Sequence, residues 1–209
     1  MRIAHYFSND EDKRAQFIFN LIAPAYSILD KGTYNDFNIM ADLLNEHYPL
    51  KSKSVLDLGS GTGAWINALN QHELTKAVGV DFSEKMIHQA NKKHPDITFI
   101  HQHGENLSAF DDNSFDVVTA TFVLHGMKKE KRAKVLNEMK RVARHRVVIH
   151  DFYNNRQFVV QLLEFLERSD YVYFQKHFRE EIKSFFSKTN IIKSKKGNAL
   201  YMGYVDETK

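Results

Sequence analysis

The hydrophobic rhythm of the chain changes near Pro49. Before it, apolar residues recur at spacings of three and four: Phe17, Ile18, Leu21, Ile22, Ala25, Tyr26 and Leu29, then Phe37, Ile39, Met40, Leu43 and Leu44. Such stripes predict amphipathic helices. One covers 11–30, interrupted or ended near Pro24, and a second covers 34–47. After Pro49, short Val- and Ile-rich runs alternate with helical stretches. SVLDL (54–58), KAVGVD (76–81), ITFIH (97–101), FDVVTAT (115–121) and HRVVIHD (145–151) read as strands. Helices are expected over 64–71, 83–93, 128–143 and 155–168. The strands are close to continuously apolar, as strands buried on both faces of a parallel sheet are. Alternating strand–helix units with right-handed crossovers give a doubly wound α/β fold. NIIKSK and ALYMGYV, parted by the turn signal Lys196-Gly197-Asn198, predict an antiparallel hairpin at one edge.

Three prolines, no Gly/Ser linker and no repeat in 209 residues argue for a single domain over 1–209. An N-terminal helical cap (1–47) leads into a ligand-binding α/β core (52–152), and 153–209 adds helices and the hairpin. The absence of cysteine excludes disulfides, Cys metal sites and a Cys nucleophile, and it fits a reducing cytoplasm. No apolar run approaches the roughly 20 residues that span a bilayer, and the acid-containing N-terminus is not expected to be a secretory signal. A net charge of +3 is too mild to demand a nucleic-acid partner.

The candidate chemistry starts at VLDLGSGTG. The first strand ends at Leu58, and Gly59-Ser60-Gly61-Thr62-Gly63 forms the turn into the next helix. Ligands of open α/β sheets bind beyond the carboxyl ends of the strands. Glycine there lets a ligand approach the main chain, and the helix start favours an anionic group. Two ligands fit. The run Gly59 to Ala64 satisfies a relaxed G-x-G-x-x-A dinucleotide fingerprint, with Asp81 at ribose distance. S-adenosylmethionine fits better with Asp57, because a carboxylate repels a pyrophosphate but favours an ammonium or sulfonium. Asp81, closing the second strand, can accept both ribose hydroxyls. Phe82 can lie against the adenine, Ser83 can cap the next helix, and Met86 lies on its first turn. Core packing accounts for Phe82 and Met86 equally well.

VLDLGSGTG, VGVDFSEKMI, GENLSAFDDNSFDVV and VVIHDFYN, in this order, resemble class I S-adenosylmethionine-dependent methyltransferases. The nearest flavour is the small-molecule group that includes the ubiquinone and menaquinone biosynthesis enzymes. The resemblance covers roughly 15–152. It implies a mostly parallel seven-stranded sheet of order 3-2-1-4-5-7-6, the last strand antiparallel, with helices on both faces and an N-terminal helical extension. It carries Asp57, Gly59, Ser60, Gly61 and Gly63 to the methionine end of the cofactor and Asp81 to its ribose. It carries Gly104, Glu105 and Asn106 to the adenine edge, where the family's usual acid is replaced by His103, with Glu105 two residues on. It places Thr121 near the cofactor. FNLIAPAYSIL resembles the family's N-terminal lead, which makes Tyr26 a candidate contact. Ser27 stands where an acid often follows that tyrosine.

Methyl transfer asks the protein to align the nucleophile, exclude water and, where required, accept a proton. His125, after the fourth strand, is a candidate base or substrate contact. His150 and Asp151 close the fifth strand, with Tyr153 just after. On a regular strand His150 and Asp151 point to opposite faces. Tyr171, Tyr173, Phe174 and Phe178 predict a helix packed on the core with Ser169 as N-cap, or an aromatic wall over the acceptor pocket. Residues 128–146 hold nine Lys or Arg against two Glu, which predicts a mainly solvated face. RNA or an anionic surface is the lesser alternative for that run, and no DNA partner is expected. No metal site is expected: Asp151 with Asn154 and Asn155 is thin support for one. The expected function is methyl transfer to O, N or C of a small molecule by a monomer or homodimer. A nicotinamide-dependent oxidoreductase and a non-catalytic S-adenosylmethionine-binding module are the alternatives.

Overall fold

A computed structural model describes residues 36–153 and 170–205. The expected helices over 11–30 and 155–168, together with Tyr26 and Ser169, lie outside the described residues. Seven strands form one sheet: β1 (Ser54–Leu58), β2 (Lys76–Asp81), β3 (Thr98–His101), β4 (Phe115–Thr121), β5 (Ala143–Phe152), β6 (Lys188–Lys193) and β7 (Asn198–Tyr204). The helices are α1 (36–47), α2 (Ala64–Asn70), α3 (Glu84–Lys93), α4 (Lys129–Val142) and α5 (Tyr171–Phe185). The strand order is β3-β2-β1-β4-β5-β7-β6. β1 to β5 run parallel, while β7 runs antiparallel to both β5 and β6.

The strands are apolar on both sides because both faces are covered. Leu56, Val78, Val118, Val147 and Tyr201 face one core with Leu136 and Met139 of α4 and Phe174 and Phe178 of α5. Val55, Val117, Val148 and Leu200 face the other, with Met40 and Leu44 of α1 and Trp65 and Ile66 of α2. Each buried side chain of this size contributes about 1.5–3 kcal/mol. Ile39, expected on the buried stripe of α1, is instead half exposed. β5 begins two residues earlier than expected, because α4 runs into it without a loop. Ala143 both ends the helix and pairs with Phe115, and a bulge between Phe115 and Val117 absorbs the change.

One expectation about the later segments needs correction. The N-cap of α5 is Asp170, whose side chain makes no cap hydrogen bond. The aromatic stripe does pack inward: Phe174 and Phe178 stack at 4.2 Å and meet Tyr201, whereas Tyr173 is exposed. The basic run keeps access to solvent at every Lys and Arg except Arg132, and several of its cations are also tied to neighbouring groups. Arg132 is fully buried, Lys131 pairs with Glu105 at 3.2 Å, Lys140 donates to the Phe185 carbonyl, and Arg144 pairs with Asp116. Arg141 donates to Glu138, Asp112 and the carbonyls of Leu107 and Phe110. α4 lies beside the loop after β3, so its long cations tie down carbonyls and carboxylates that a charge count cannot see.

Candidate active site

The carboxyl ends of β1, β2, β4 and β5 meet at one edge of the sheet. Gly59, Gly61 and Gly63 all adopt positive φ, at 69°, 53° and 84°, which folds the chain tightly back toward α2. The amides of Gly59 and Ser60 both donate to the Val80 carbonyl, at 2.7 and 2.9 Å, pinning the turn to β2. A Cβ on Gly63 would lie 2.6 Å from the Phe99 ring, whereas one on Gly61 would meet nothing within 4 Å. The two positions therefore predict different outcomes. Gly63→Ala adds a steric clash to a strained backbone and is expected to lower stability by about 2–4 kcal/mol in urea unfolding. Gly61→Ala keeps only the backbone cost, about 1 kcal/mol, yet its methyl enters the open space over the turn.

Asp81 organises this turn. Its Oδ2 accepts from the Gly61 amide at 2.9 Å and its Oδ1 from the Ser83 amide at 2.8 Å. Each oxygen keeps a second acceptor site for a ligand. Burial raises the proton affinity of this carboxyl against those two amide bonds. Asp57 is buried beside it. Its Oδ1 accepts from Thr119 Oγ1 at 2.8 Å, while Oδ2 has no hydrogen-bond partner. Burial pushes Asp57 up to about 8; the Thr119 bond opposes the shift, and Asp81 adds to it. Ser60 Oγ and Thr121 Oγ1, both buried and unpartnered, lie at the same strand ends.

The other sequence candidates sort by their contacts. Ser83 caps α3, accepting from the Met86 amide at 3.4 Å. The Phe82 ring lies 6.1 Å from that of His103. Glu105 turns instead to Lys131 of α4, and the Asn106 side chain accepts from the Ser108 amide. Gly104 packs against Leu58, where a Cβ would sit 2.9 Å from its side chain.

A cluster of aromatic and histidine rings forms around the turn after β4. Phe122 takes the left-handed φ of 52°, rare for a bulky residue. Its ring meets those of Phe37, His150, Phe152 and His125. His150 is buried among Trp65, Phe37 and Phe122, and burial lowers it to about 4, so it is neutral at pH 7. His125 and Asp151 form a buried pair, Nδ1 to Oδ1 at 2.7 Å. His150 and Asp151 thus point to opposite faces, as the strand alternation requires. Tyr153 is not brought to this cluster: its hydroxyl accepts from Arg179 at 3.2 Å and its ring lies beside Lys193.

Comparison with known proteins matches this frame. A methyltransferase-domain family matches residues 55–146. A demethylmenaquinone methyltransferase of Thermotoga maritima is 31% identical over 166 residues, covering 73% of this chain and 69% of that protein. The chain belongs to the class I S-adenosylmethionine-dependent methyltransferases. Another relative, the demethylmenaquinone methyltransferase of Chlorobaculum tepidum, is 31% identical over 135 residues, 60% of this chain and 53% of its own. Among the first curated relatives it matches, the chain spans between 33% and 56% of their length. The fold is shared with the magnesium protoporphyrin IX methyltransferase of Synechocystis, solved with bound S-adenosylhomocysteine. That match has a TM-score of 0.63, 18% identity and 84% coverage of each chain.

The residues of this chain fit the family's cofactor. Three buried, unpartnered oxygens (on Asp57, Ser60 and Thr121) and an open Gly61 surround the turn, as a ligand rich in donors and positive charge requires. Sequence reasoning missed three positions. Thr119 is in register with Asp57 across β1 and β4, and a Thr within an apolar strand was a usable signal. Val123 covers Gly59, and Arg132 anchors the turn; neither had a local signature. No helix among the described residues is long and apolar enough to cross a membrane.

Proposed function

We propose that the chain binds S-adenosylmethionine over the Gly59–Gly63 turn and transfers its methyl group to a small-molecule acceptor beside the turn after β4. The observation that carries this reading is the paired carboxylates: Asp81, aimed by the amides of Gly61 and Ser83, and Asp57, with one oxygen left unpartnered. When bound, the cofactor supplies a methyl group already activated by its sulfonium. Asp81 would receive the ribose hydroxyls, Phe82 and His103 would flank the adenine, and Met86 would lie nearby. Asp57, Ser60 and Thr121 would face the methionine end, and the glycine turn would supply main-chain contacts. The backbone of Gly104, Glu105 and Asn106 would border the adenine edge, and Tyr26 would act from the N-terminal lead. Phe122, Phe152 and Tyr171 would exclude water, and His125 is a better-placed proton acceptor than Tyr153. A cytoplasmic setting suits the cysteine-free chain.

Calorimetric titration with S-adenosylmethionine, S-adenosylhomocysteine and NADH tests the reading. Binding of the first two is expected, and binding of NADH alone would overturn it. Gly61→Ala is expected to weaken S-adenosylhomocysteine binding by more than its stability loss, because its methyl occupies ligand space.

Asp57 adds a pH signature. Its folded value of about 8 lies above the ordinary 3.8, so between those values the native state holds a proton that the unfolded chain has lost. Stability contributed by Asp57 is therefore full below about pH 4 and is lost as pH rises toward 8. Measured against Asp57→Asn, the wild type is expected to lose relative stability across that window and to level off above it. An ammonium beside Asp57 favours the carboxylate. Binding of S-adenosylmethionine at pH 7 is then expected to release a proton, read as a dependence of the binding enthalpy on buffer ionisation. That dependence is expected to vanish in Asp57→Asn.

A further inference from the structure

We propose that the amino end of the sheet, opposite the cofactor turn, carries a second binding site, which takes inorganic phosphate or a phosphate monoester between Lys53, His145 and Arg146. The site is independent of the methyltransferase reading. Two of its three groups belong to the basic run over 128–146, and methyl transfer uses neither.

A cavity of about 270 Å³ is lined by Tyr48, Lys53, His145 and Arg146. Lys53 immediately precedes β1, and Arg146 lies early in β5, in register with Val117 of β4 and Tyr204 of β7. Strand alternation puts Arg146 on the face of Val148, the face that α1 covers. The Arg146 guanidinium lies 5.0 Å from the Tyr48 ring and 4.0 Å from the Tyr204 ring, and its Nη1 donates to the His145 carbonyl at 2.8 Å. Two rings and a carbonyl therefore hold the planar group in one orientation before any ligand arrives. Lys188, opposite Tyr204 on β6, adds an ammonium 4.5 Å from that ring.

Arg146 differs from its neighbours in the run. Arg132, Arg141 and Arg144 each hold a carboxylate, of Glu181, Glu138 and Asp116 respectively. Among the described residues neither Arg146 nor Lys53 reaches one, and Arg146 Nε is buried without an acceptor. Yet the two cations share a ring, since Lys53 Nζ lies 5.9 Å from the Tyr48 centroid. Gathering like charges at a part-buried spot is unfavourable unless an anion offsets them. Asp116, the carboxylate that acts on Lys53 from a distance, is already engaged. It accepts from the Ser54 amide and hydroxyl at 2.8 and 2.7 Å and from Arg144 at 3.0 Å. His145 Nε2 stands 3.7 Å from the same carboxylate.

The loop that presents Lys53 is fixed. Ser52 takes a left-handed φ of 61°, an uncommon conformation for a residue with a side chain and of a kind that concentrates at ligand sites. The Ser52 amide donates to the Glu73 carbonyl, the Lys53 amide to the Leu50 carbonyl and the Thr75 amide to the Lys53 carbonyl, each at 2.9 Å. Donors thus reach the cavity from two elements, the loop before β1 and the start of β5. A planar carboxylate suits a single guanidinium fork, whereas a phosphate spreads its charge over three terminal oxygens and can serve several donors at once. The cations gather around one cavity and do not form a stripe. That favours a small phosphate over a nucleic-acid backbone, which needs a row of contacts.

The test titrates the full chain with inorganic phosphate, phenyl phosphate and acetate in a phosphate-free buffer of low salt, read by calorimetry and by amide spectra. Saturable binding of a phosphate is expected, with acetate about tenfold weaker. Phenyl phosphate tighter than inorganic phosphate identifies a phosphorylated small molecule as the ligand, and the reverse order identifies free phosphate. The amides of Lys53, Ser54 and Arg146 are expected to shift and those of Gly61 and Ser83 to stay. Shifts confined to the Gly59–Gly63 turn place the anion in the cofactor site and overturn the proposal, as does a response that does not saturate. Lys53→Gln and Arg146→Gln are each expected to weaken phosphate binding about tenfold, the loss of one charge-assisted hydrogen bond, and Arg146→Lys is expected to recover part of it. Urea unfolding reports folding of each variant. Lys53 is part-exposed and is expected to keep the wild-type midpoint, so unchanged phosphate affinity in Lys53→Gln overturns the proposal even where Arg146→Gln does not fold. A single-stranded oligouridylate that binds more tightly than either phosphate, with the same dependence on Lys53, overturns it in favour of an RNA surface. S-adenosylhomocysteine binding is expected to be the same in Lys53→Gln as in wild type. Its absence in wild type would defeat the methyltransferase reading and leave the phosphate site standing.

Discussion

An Arg132→Met variant is expected to lose about 3–5 kcal/mol of stability, measured by urea unfolding. The guanidinium is fully buried on α4, with Nε and Nη2 donating to the two oxygens of Glu181 at 2.8 and 2.9 Å. Asp170 adds a longer contact at 3.5 Å, and the carbonyls of Leu124 and Met127 take Nη1. Met approximates the stem but strands the Glu181 carboxylate, whose side chain is only 7% exposed, and frees two carbonyls. Removing one partner of a buried pair costs more than the pair contributes, because the remaining charge stays desolvated. The control follows from the same logic: Arg132→Met with Glu181→Leu is expected to recover most of the loss, since an apolar pair needs no compensation. A double variant as unstable as the single one would show that the carbonyl bonds, not the ion pair, dominate.

An Asp81→Ala variant is expected to weaken S-adenosylhomocysteine binding by about 3 kcal/mol, roughly a hundredfold in Kd. Two charge-assisted hydrogen bonds to a ribose would go, each of about 1.5–3 kcal/mol. The Gly61 and Ser83 amides would also lose their acceptor, so the turn would be less ordered before the ligand arrives. Asp81→Asn separates the two contributions. Its one carbonyl oxygen can keep an amide, while its NH2 faces an amide donor, so an intermediate loss is expected. Unchanged affinity in Asp81→Ala would remove the ribose assignment.

The strand runs placed five parallel strands almost to the residue, and SVLDL, KAVGVD and FDVVTAT matched β1, β2 and β4 without a shift. Local pattern suffices there because a strand buried on both faces has no polar side to blur its ends. Asp57 and Asp81 were legible for the opposite reason: a carboxylate closing an apolar strand has few structural uses. The boundary of β5 was less legible, since Ala143 serves helix and strand at once. Within the basic run Arg132 was the residue the charge count could not single out, because a Lys or Arg is exposed or buried according to what packs over it.

What the sequence alone determined is the individual strands, the glycine turn and the acids that flank it, since each follows from side-chain period or from the few conformations a turn allows, while the strand order came from the family resemblance. What only the tertiary structure decided is which polar groups meet. His125 and Asp151 are 26 positions apart and Arg132 and Glu181 are 49 apart, and no local signal links them. Their pairing depends on how β4, β5, α4 and α5 stack, because the partner of a buried charge is fixed by packing and not by spacing along the chain.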